Sequence, residues 1–250
     1  MPDSEPHVLL EKRGRVGIIT LNRPERKNAI TGPLARALQD AIEACSADGE
    51  VRVILLRGAS GVFSSGLDLK EFNADPRPDW LPAFQATWRG VHESIYATDK
   101  AVVCALEGYA INAGSALALS ADFIVAGEGA FLQVGEVRQG RPAPMNLAWL
   151  SMRYGDALAR RIMLLGHRIV GDELLRLGIA HDIVDDALVL TTARALAEEL
   201  AELPPAGIAA TKQLLRRMDL PGRPNDWFAL AAEGAAELGR ASGPIPSLKR

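Results

Sequence analysis

The apolar run "AVVCALEGYA" (residues 101–110) leads without a polar spacer into the small-residue segment "INAGSALALSAD" (residues 111–122). The run has the composition of a strand buried on both faces, which is typical of parallel sheets covered by helices. The segment after it has the small residues of a closely packed helix start. A buried strand that passes directly into a helix indicates an α/β fold, and it leaves backbone N–H groups unpaired at the helix start.

The rest of the first half alternates strands and helices in the same way. Two strands are predicted within residues 7–24, and a further buried strand within residues 51–59. Apolar residues three and four apart predict one helix over residues 31–49 and another over residues 84–98. The first of these helices is predicted to start at Thr31 or Gly32. The order of elements is that of an α/β protein with crossover connections.

From about Pro144 onward the pattern is mostly helical, with "HDIVD" (residues 181–185) as a further short strand or a connector. The three prolines within residues 74–82 predict a loop or lid. We place a soft boundary near residue 190. This division gives a core over residues 1–190 and a helical C-terminal oligomerisation region over residues 191–250.

Composition excludes several classes of partner. The formal net charge is −3, so there is no basic excess to neutralise a nucleic acid or an anionic membrane surface. No apolar run reaches the roughly 18 residues of a membrane span, and the first residues lack the apolar segment of a signal peptide. We therefore expect a cytoplasmic protein, with Cys45 and Cys104 as buried reduced thiols.

Two loops are candidates for holding a negatively charged oxygen. In "FSSGLDL" (residues 63–69) a tight turn precedes an acidic helix start, and in "GYAINAGS" (residues 108–115) Asn112 is predicted to cap a helix that begins at Ala113. Two backbone N–H groups that converge on one point stabilise a developing oxyanion, roughly 3–4 kcal/mol per donor in hydrolases. Small residues at a helix start also serve tight packing alone, so the loops by themselves leave both interpretations open.

Four segments of this chain occur in an order and with a spacing that resemble the crotonase superfamily, the enoyl-CoA hydratase/isomerase fold. They are "NRPERKNAI" (22–30), "GVFSSGLDLKEF" (61–72), "EGYAINAGSALALSADFIVAGEGAFLQVGEV" (107–137) and "RIMLLGHRIVGDELLRLGIAHDIV" (161–184). The resemblance covers about residues 8–240. It implies a spiral of ββα units followed by a helical C-terminal region used for trimerisation, often as a dimer of trimers.

The resemblance also implies an oxyanion hole for the thioester oxygen of an acyl-CoA. By motif matching, the two donors are the N–H groups of Leu67 and Ala113, and Ala113 replaces the glycine that many members have. An alanine keeps the N–H group, and a helix start does not require positive φ. Residues that match the family's contacts with coenzyme A are Ser65, Gly66, Leu67, Asp68 and Ala113.

Enoyl-CoA hydratases use two glutamates, and this chain matches only one of them. Glu136 in "VGEV" is retained, whereas Ala116 stands where the second glutamate belongs. Addition of water asks for a base on the water and an acid for the α-carbon. Movement of a double bond asks only for one group that removes a proton and returns it elsewhere, and Glu136 beside an oxyanion hole suffices for that task.

Other polar residues are weaker candidates. Arg138 and Arg141 follow Glu136 where the family often has a glycine pair, and they serve either the acyl pocket or a subunit contact. His92 and Glu93 lie on the helix that the family uses along the acyl pocket, as stand-in acid or base groups. Arg26 and Lys27 are candidate neighbours of the phosphate or ribose groups of coenzyme A. Asp75 and Asp79 are predicted to be solvated carboxylates.

The sequence thus predicts an acyl-CoA enzyme of the enoyl-CoA hydratase/isomerase type, in which Glu136 transfers the proton. Isomerase and hydratase activity both stay open, and the alternatives are a malonyl-type acyl-CoA decarboxylase and a non-catalytic acyl-CoA-binding protein. We expect no separate cofactor, because coenzyme A is part of the substrate, and no metal ligands. The expected partners are the acyl-CoA substrate and further copies of this chain, as a homotrimer or a dimer of trimers, with no nucleic acid and no membrane.

Overall fold

The computed structural model describes residues 5–217 and Phe228. The strands are β1 (Val8–Arg13), β2 (Val16–Leu21), β3 (Val53–Gly58), β4 (Ala101–Leu106), β5 (Tyr109–Ile111), β6 (Phe123–Gly127), β7 (Phe131–Gln133), β8 (Arg168–Val170) and β9 (Asp182–Val184). The α-helices are α1 (Gly32–Ala47), α2 (Leu69–Phe72), α3 (Phe84–Ala97), α4 (Ala113–Leu119), α5 (Pro144–Tyr154), α6 (Asp156–Leu165), α7 (Gly171–Arg176), α8 (Val189–Glu202) and α9 (Pro205–Arg217).

The larger sheet has the strand order β1-β2-β3-β4-β6-β9, in which only β1 and β2 pair antiparallel. Alternate side chains point to opposite faces, so Val53 and Leu55 join one apolar cluster and Ile54 and Leu56 the other. Helix α8 covers the first of these faces. Its buried contact residues are Val189, Ala193, Ala197 and Ala201. Because both faces are covered, the strands carry the near-continuous apolar runs seen in the sequence.

The predicted strand over residues 101–110 is wrong as a single element. β4 lies in the larger sheet, whereas β5 pairs with β7 in a separate sheet of order β5-β7-β8. The chain turns between them at Gly108, where φ is +63° and a Cβ would lie 2.6 Å from the carbonyl oxygen of Gly61. Only glycine fits that close approach, so the backbone changes direction there.

Most other predicted elements are confirmed. β1 and β2 form the expected hairpin, and α1 begins after Thr31, whose hydroxyl accepts a hydrogen bond from the N–H of Leu34. Of the strand and the connector that the sequence left open for residues 181–185, the structure has the strand, β9. Cys45 and Cys104 are buried free thiols, as expected. None of the helices that the structure describes is long and apolar enough to span a membrane.

Helix α8 starts next to the boundary predicted near residue 190 and packs on the larger sheet. The division of the chain at this position and the assignment of residues 191–250 to oligomerisation stay predictions. Much of that region, residues 218–227 and 229–250, lies outside the described residues.

Candidate active site

The two predicted oxyanion loops lie against each other. The N–H of Ser64 donates to the carbonyl of Tyr109 at 3.0 Å, and the N–H of Ile111 donates to the carbonyl of Ser64 at 3.1 Å. Glycines make this approach possible. A Cβ on Gly66, where φ is +89°, would lie 2.6 Å from the oxygen of Ile111, and one on Gly114 would lie 2.8 Å from the oxygen of Ser64.

Among the described residues, each loop carries a backbone N–H group without a hydrogen-bond acceptor. The residues beside Leu67 are fixed by Ile30, whose N–H donates to Gly66 at 2.7 Å and whose carbonyl accepts from Asp68 at 2.9 Å. Within the part of the chain that the structure describes, the N–H of Leu67 donates to no protein group. Ala113 is the first residue of α4, so its N–H has no acceptor inside the helix. The oxyanion role of these two groups stays a prediction.

Asn112 stands at the N-cap of α4, as predicted, but its side chain does not cap the helix. Its Oδ1 accepts instead from the N–H of Gly135 at 2.8 Å, and its own N–H donates to the carbonyl of Gln133 at 2.8 Å. The backbone of Asn112 has φ +53° and ψ −112°, a conformation that persists only when neighbouring contacts enforce it. These bonds tie the Ala113 loop to the segment that leads into Glu136.

Glu136 begins a short 3-10 helix (Glu136–Gln139) after β7. Its Oε1 accepts from Nδ2 of Asn146 at 3.2 Å, whereas its Oε2 is buried with no hydrogen-bond partner among the described residues. Burial raises the pKa of Glu136 to about 7, against the opposing effects of its own N–H and of Asn146. A carboxyl group with a pKa near neutrality is suited to both accept and return a proton.

The position that matches the family's second glutamate carries no carboxylate in this chain. Ala116 lies on α4, one turn beyond Ala113, and its methyl group is fully buried. No other charged side chain of the described residues contributes to the pKa shift of Glu136. Among the described residues, Glu136 is therefore the one carboxyl group assigned to the site, and its role in proton transfer stays a prediction.

The carboxylate of Asp68, a predicted coenzyme A contact, is buried between two arginines. It accepts from Nη2 of Arg26 at 2.7 Å and from Nη1 of Arg23 at 3.1 Å, and it also caps α2. Burial opposes its ionisation, but the hydrogen bonds from Arg26 and from the N–H of Glu71, with the positive charges of Arg26 and Arg23, lower the pKa of Asp68 overall. The ion pair holds the Ser65–Asp68 turn in place, and the sequence interpretation did not find Arg23.

Other predicted contact residues lie on the rim of this turn. Arg26 is 40% exposed although it is paired, and Lys27 is exposed with φ +53°. Ser65 is partly exposed, and its N–H donates to the carbonyl of Lys27 at 3.0 Å. Two cationic groups therefore border the turn that carries Leu67.

The two residues of α3 predicted as stand-in acid or base groups, His92 and Glu93, form contacts that stabilise the core and the surface. His92 is fully buried, and its Nδ1 accepts from Nε1 of Trp149 at 2.9 Å. Burial lowers the pKa of His92 to about 3, so the ring is neutral at physiological pH. Glu93 forms a surface ion pair with Arg89 at 3.2 Å. His92 is thus a core residue and Glu93 a surface residue.

The arginines after Glu136 do not share one role. Arg138 donates through Nε to the carbonyl of Gly166 and through Nη2 to that of Leu165, both at 3.0 Å, so it closes the C-terminus of α6. The acyl-pocket alternative for Arg138 is therefore not supported. The backbone N–H of Arg141 donates to the carbonyl of Glu136 at 3.0 Å. Asp75 and Asp79 are exposed, as predicted.

Asn146 is the site residue that the sequence interpretation missed. It is 2% exposed, and its Nδ2 donates to the carbonyl of Asn112 at 3.0 Å and to Oε1 of Glu136 at 3.2 Å. The signal in the sequence was a lone polar residue in the otherwise apolar stretch "PMNLAWL". A buried amide there asks for partners.

Solved structures share this arrangement of strands and helices. The structure of a carnitinyl-CoA hydratase from Mycobacterium avium matches with a TM-score of 0.82 and 27% identity, over 96% of this chain and 92% of that chain. The fold is therefore the crotonase fold that the sequence predicted, with a mainly parallel sheet.

Sequence comparison narrows the class. The family model for enoyl-CoA hydratase/isomerase matches residues 11–223. A probable enoyl-CoA hydratase from Rhizobium meliloti is 33% identical over 85% of this chain and 82% of its own length. A 1,2-epoxyphenylacetyl-CoA isomerase from Escherichia coli is 31% identical over 79% of this chain and 77% of its own length. The chain belongs to the enoyl-CoA hydratase/isomerase family, which is a family of enzymes.

Proposed function

We propose that this chain binds an acyl-CoA thioester and moves a double bond along its acyl group by proton transfer through Glu136. The observation that carries the proposal is the buried carboxyl group of Glu136, with a pKa of about 7 and an Oε2 that has no hydrogen-bond partner among the described residues. The loop that carries the N–H of Ala113, which has no acceptor among the described residues, is tied to the segment before Glu136 through the bond between Asn112 and Gly135. A base and an oxyanion donor thus belong to one rigid assembly.

The chemistry balances with one carboxylate. Glu136 removes a proton from the α-carbon of a 3-enoyl thioester, and the electron pair moves onto the thioester oxygen. The N–H groups of Leu67 and Ala113 stabilise that oxygen. The protonated Glu136 then returns the proton to the γ-carbon, which gives the 2-enoyl isomer and restores the carboxylate.

Hydration of a 2-enoyl thioester is the second candidate, favoured by the number of relatives named as hydratases, such as the Rhizobium meliloti protein. It requires Glu136 alone to take a proton from water and deliver it to the α-carbon. Ala116 offers no second carboxylate to hold that water. This absence is why we place isomerisation first.

We further propose that the chain assembles as a homotrimer or a dimer of trimers. Support comes from large apolar side chains that are exposed at or beside the end of α6, namely Val137, Leu164 and Leu165. Val137 packs beside Gly166, next to the exposed Leu165, so part of this set is contiguous. Contiguous apolar surface of this kind marks protein–protein contacts.

A panel of 2-enoyl-CoA and 3-enoyl-CoA thioesters, incubated in deuterated water and analysed by mass spectrometry, tests the reaction. Isomerisation predicts interconversion of the two thioesters without a gain of water, and deuterium enters the product when the proton held on Glu136 exchanges with solvent before it is returned. A gain of one water would favour hydration instead. If no thioester of any chain length showed interconversion or a gain of water, the proposed activity would be contradicted.

The role of Glu136 is tested by Glu136→Gln. We expect the exchange rate to fall by at least about 100-fold, because the amide does not accept the proton, while coenzyme A binding stays within about twofold. The matched control is Glu128→Gln, which alters an exposed glutamate on a turn. Undiminished exchange in Glu136→Gln would remove this residue from the mechanism.

A further inference from the structure

Asn146 joins the predicted base to the predicted oxyanion donor. Its Nδ2 donates to the carbonyl of Asn112 at 3.0 Å and to Oε1 of Glu136 at 3.2 Å. Both acceptors are oxygens, so the two bonds fix which end of the amide carries the nitrogen. Both hydrogens of one NH₂ group are thereby used within the site.

The carbonyl of Asn112 belongs to the same peptide group as the N–H of Ala113. A donor on the carbonyl side polarises the peptide, and hydrogen bonds in a chain strengthen one another in a site of low dielectric. The N–H of Ala116 donates to the same oxygen at 3.1 Å. The peptide that supplies the predicted oxyanion donor is thus held by two donors on its carbonyl side.

The other bond of Asn146 acts on Glu136. It occupies Oε1, so Oε2 is the carboxylate oxygen without a hydrogen-bond partner in the described chain. It also opposes the effect of burial, because a donor to a carboxylate favours the ionised form and lowers the pKa of Glu136. The bond therefore selects the reacting oxygen and keeps the group partly ionised near neutral pH.

The remaining polar atom of Asn146 argues against a purely structural role. Its Oδ1 is buried without a hydrogen-bond partner among the described residues. A buried acceptor left unsatisfied carries a desolvation penalty that an apolar side chain of similar volume would avoid on the same helix. The amide is retained at a cost to the fold, which is the pattern of a functional position.

We propose that Asn146 is a positioning residue that aligns Glu136 and polarises the Asn112–Ala113 peptide, so that the base and the oxyanion donor are set by one side chain. This inference rests on the proposed function of Glu136 and of the Ala113 N–H. Asn146 acts through these two groups and is assigned no contact with substrate.

The test compares Asn146→Asp, which keeps the shape but loses the donor, with Asn146→Ala, which loses both bonds and the volume. The matched control is Ser151→Ala, at another buried polar position on α5. Two readouts are the pH dependence of deuterium exchange and the direct titration of Glu136 by ¹³C NMR of glutamate-labelled protein. The Glu136 signal is assigned by its absence in Glu136→Gln.

We expect kcat for exchange to fall about 10- to 100-fold in both Asn146 variants with KM within about threefold, less than the effect of losing an oxyanion donor outright. The Glu136 titration should move to higher pH in Asn146→Ala and further in Asn146→Asp, where a second negative charge faces it. Ser151→Ala should change neither. If Asn146→Ala fails to fold, the isosteric Asn146→Asp decides.

An unmoved Glu136 titration in the folded variants would overturn the inference, as would an exchange rate that is unchanged or that falls equally at every pH. The titration does not depend on turnover. A wild-type protein that shows no exchange with any thioester would therefore contradict the proposed function alone, and the NMR titration would still decide the role of Asn146.

Discussion

At the scale of single residues, Glu136 carries a chemical property that an exposed glutamate does not have. Burial raises its pKa from 4.5 to about 7, so ionisation is harder in the folded chain than in the unfolded chain. The contribution of Glu136 to stability is therefore fully present below about pH 4.5 and is lost as the pH rises through about 7. Ionisation of Glu136 thus weakens the fold at alkaline pH.

A substitution separates this effect from catalysis. Glu136→Gln removes the titration, so the variant should exceed the wild type in free energy of unfolding at pH 8, by about 3 kcal/mol at most, and match it near pH 4. Urea denaturation at pH 4, 6 and 8 measures the difference. A stability difference that is the same at every pH would contradict the raised pKa.

The sequence was sufficient to propose Glu136, Leu67 and Ala113, because each lies within a recognisable segment in a fixed order, and their roles stay predictions. It was not sufficient for Asn146, whose partner Asn112 is 34 residues away along the chain. No spacing rule brings that pair together, because the contact depends on how α5 lies beside α4. The same reason explains Arg23, whose bond to Asp68 spans 45 residues.

At the scale of elements, the site depends on how closely two loops approach. Gly66 has φ +89° and no room for a Cβ, since the oxygen of Ile111 would be 2.6 Å away. Gly61 has φ +69°, yet nothing lies within 4 Å of a Cβ built there. A substitution at Gly61 therefore tests the effect of a positive φ alone, whereas a substitution at Gly66 adds the loss of the close approach between the loops.

Gly66→Ala should lower exchange activity by at least about 100-fold, because the Leu67 and Ala113 donors move apart, and an error of about 1 Å in a site is enough for such a loss. Gly61→Ala should cost stability through its positive φ but leave exchange near the wild-type rate. Exchange rates and thermal melts of both variants make the comparison. Equal loss of activity in the two would contradict the role of the close approach.

Sequence patterns predicted most elements but not their finest divisions. The run over residues 101–110 is apolar except for Glu107, Gly108 and Tyr109 near its end. The hydrophobic pattern alone therefore indicates one strand. What divides it is the contact of Gly108 with the carbonyl of Gly61, a partner 47 positions earlier. Asn112 lies at the start of α4, as the sequence predicted, but its Oδ1 accepts from the N–H of Gly135 instead of from an N–H in the first turn of the helix.

At the scale of the whole molecule, the order of motifs predicted the crotonase fold, because four segments in sequence restrict the topology strongly. The assembly was less accessible. The sequence assigned it to residues 191–250, and that assignment stays a prediction. The exposed apolar side chains near the end of α6 belong to an earlier part of the chain, and among them Leu164 is 69% exposed.

The proposed assembly is tested by Leu164→Arg, which places a charge on that exposed surface. We expect a lower molar mass by light scattering at micromolar concentration, because a buried unpaired charge at an interface is strongly unfavourable. The control Leu10→Arg alters an exposed leucine on the edge strand β1 and should leave the mass unchanged. An unchanged mass in Leu164→Arg would exclude this surface from the interface.

The turn at Gly108 divides the work of the molecule between two sheets. β4 belongs to the six-stranded sheet, whereas β5 leads to Ala113, the predicted donor, and lies within a sheet whose strands are three residues long. Short ladders open at lower free energy than a covered central sheet. Heating should therefore disable this chain before it denatures it, and a protein that still looks folded in a melting curve need no longer be active.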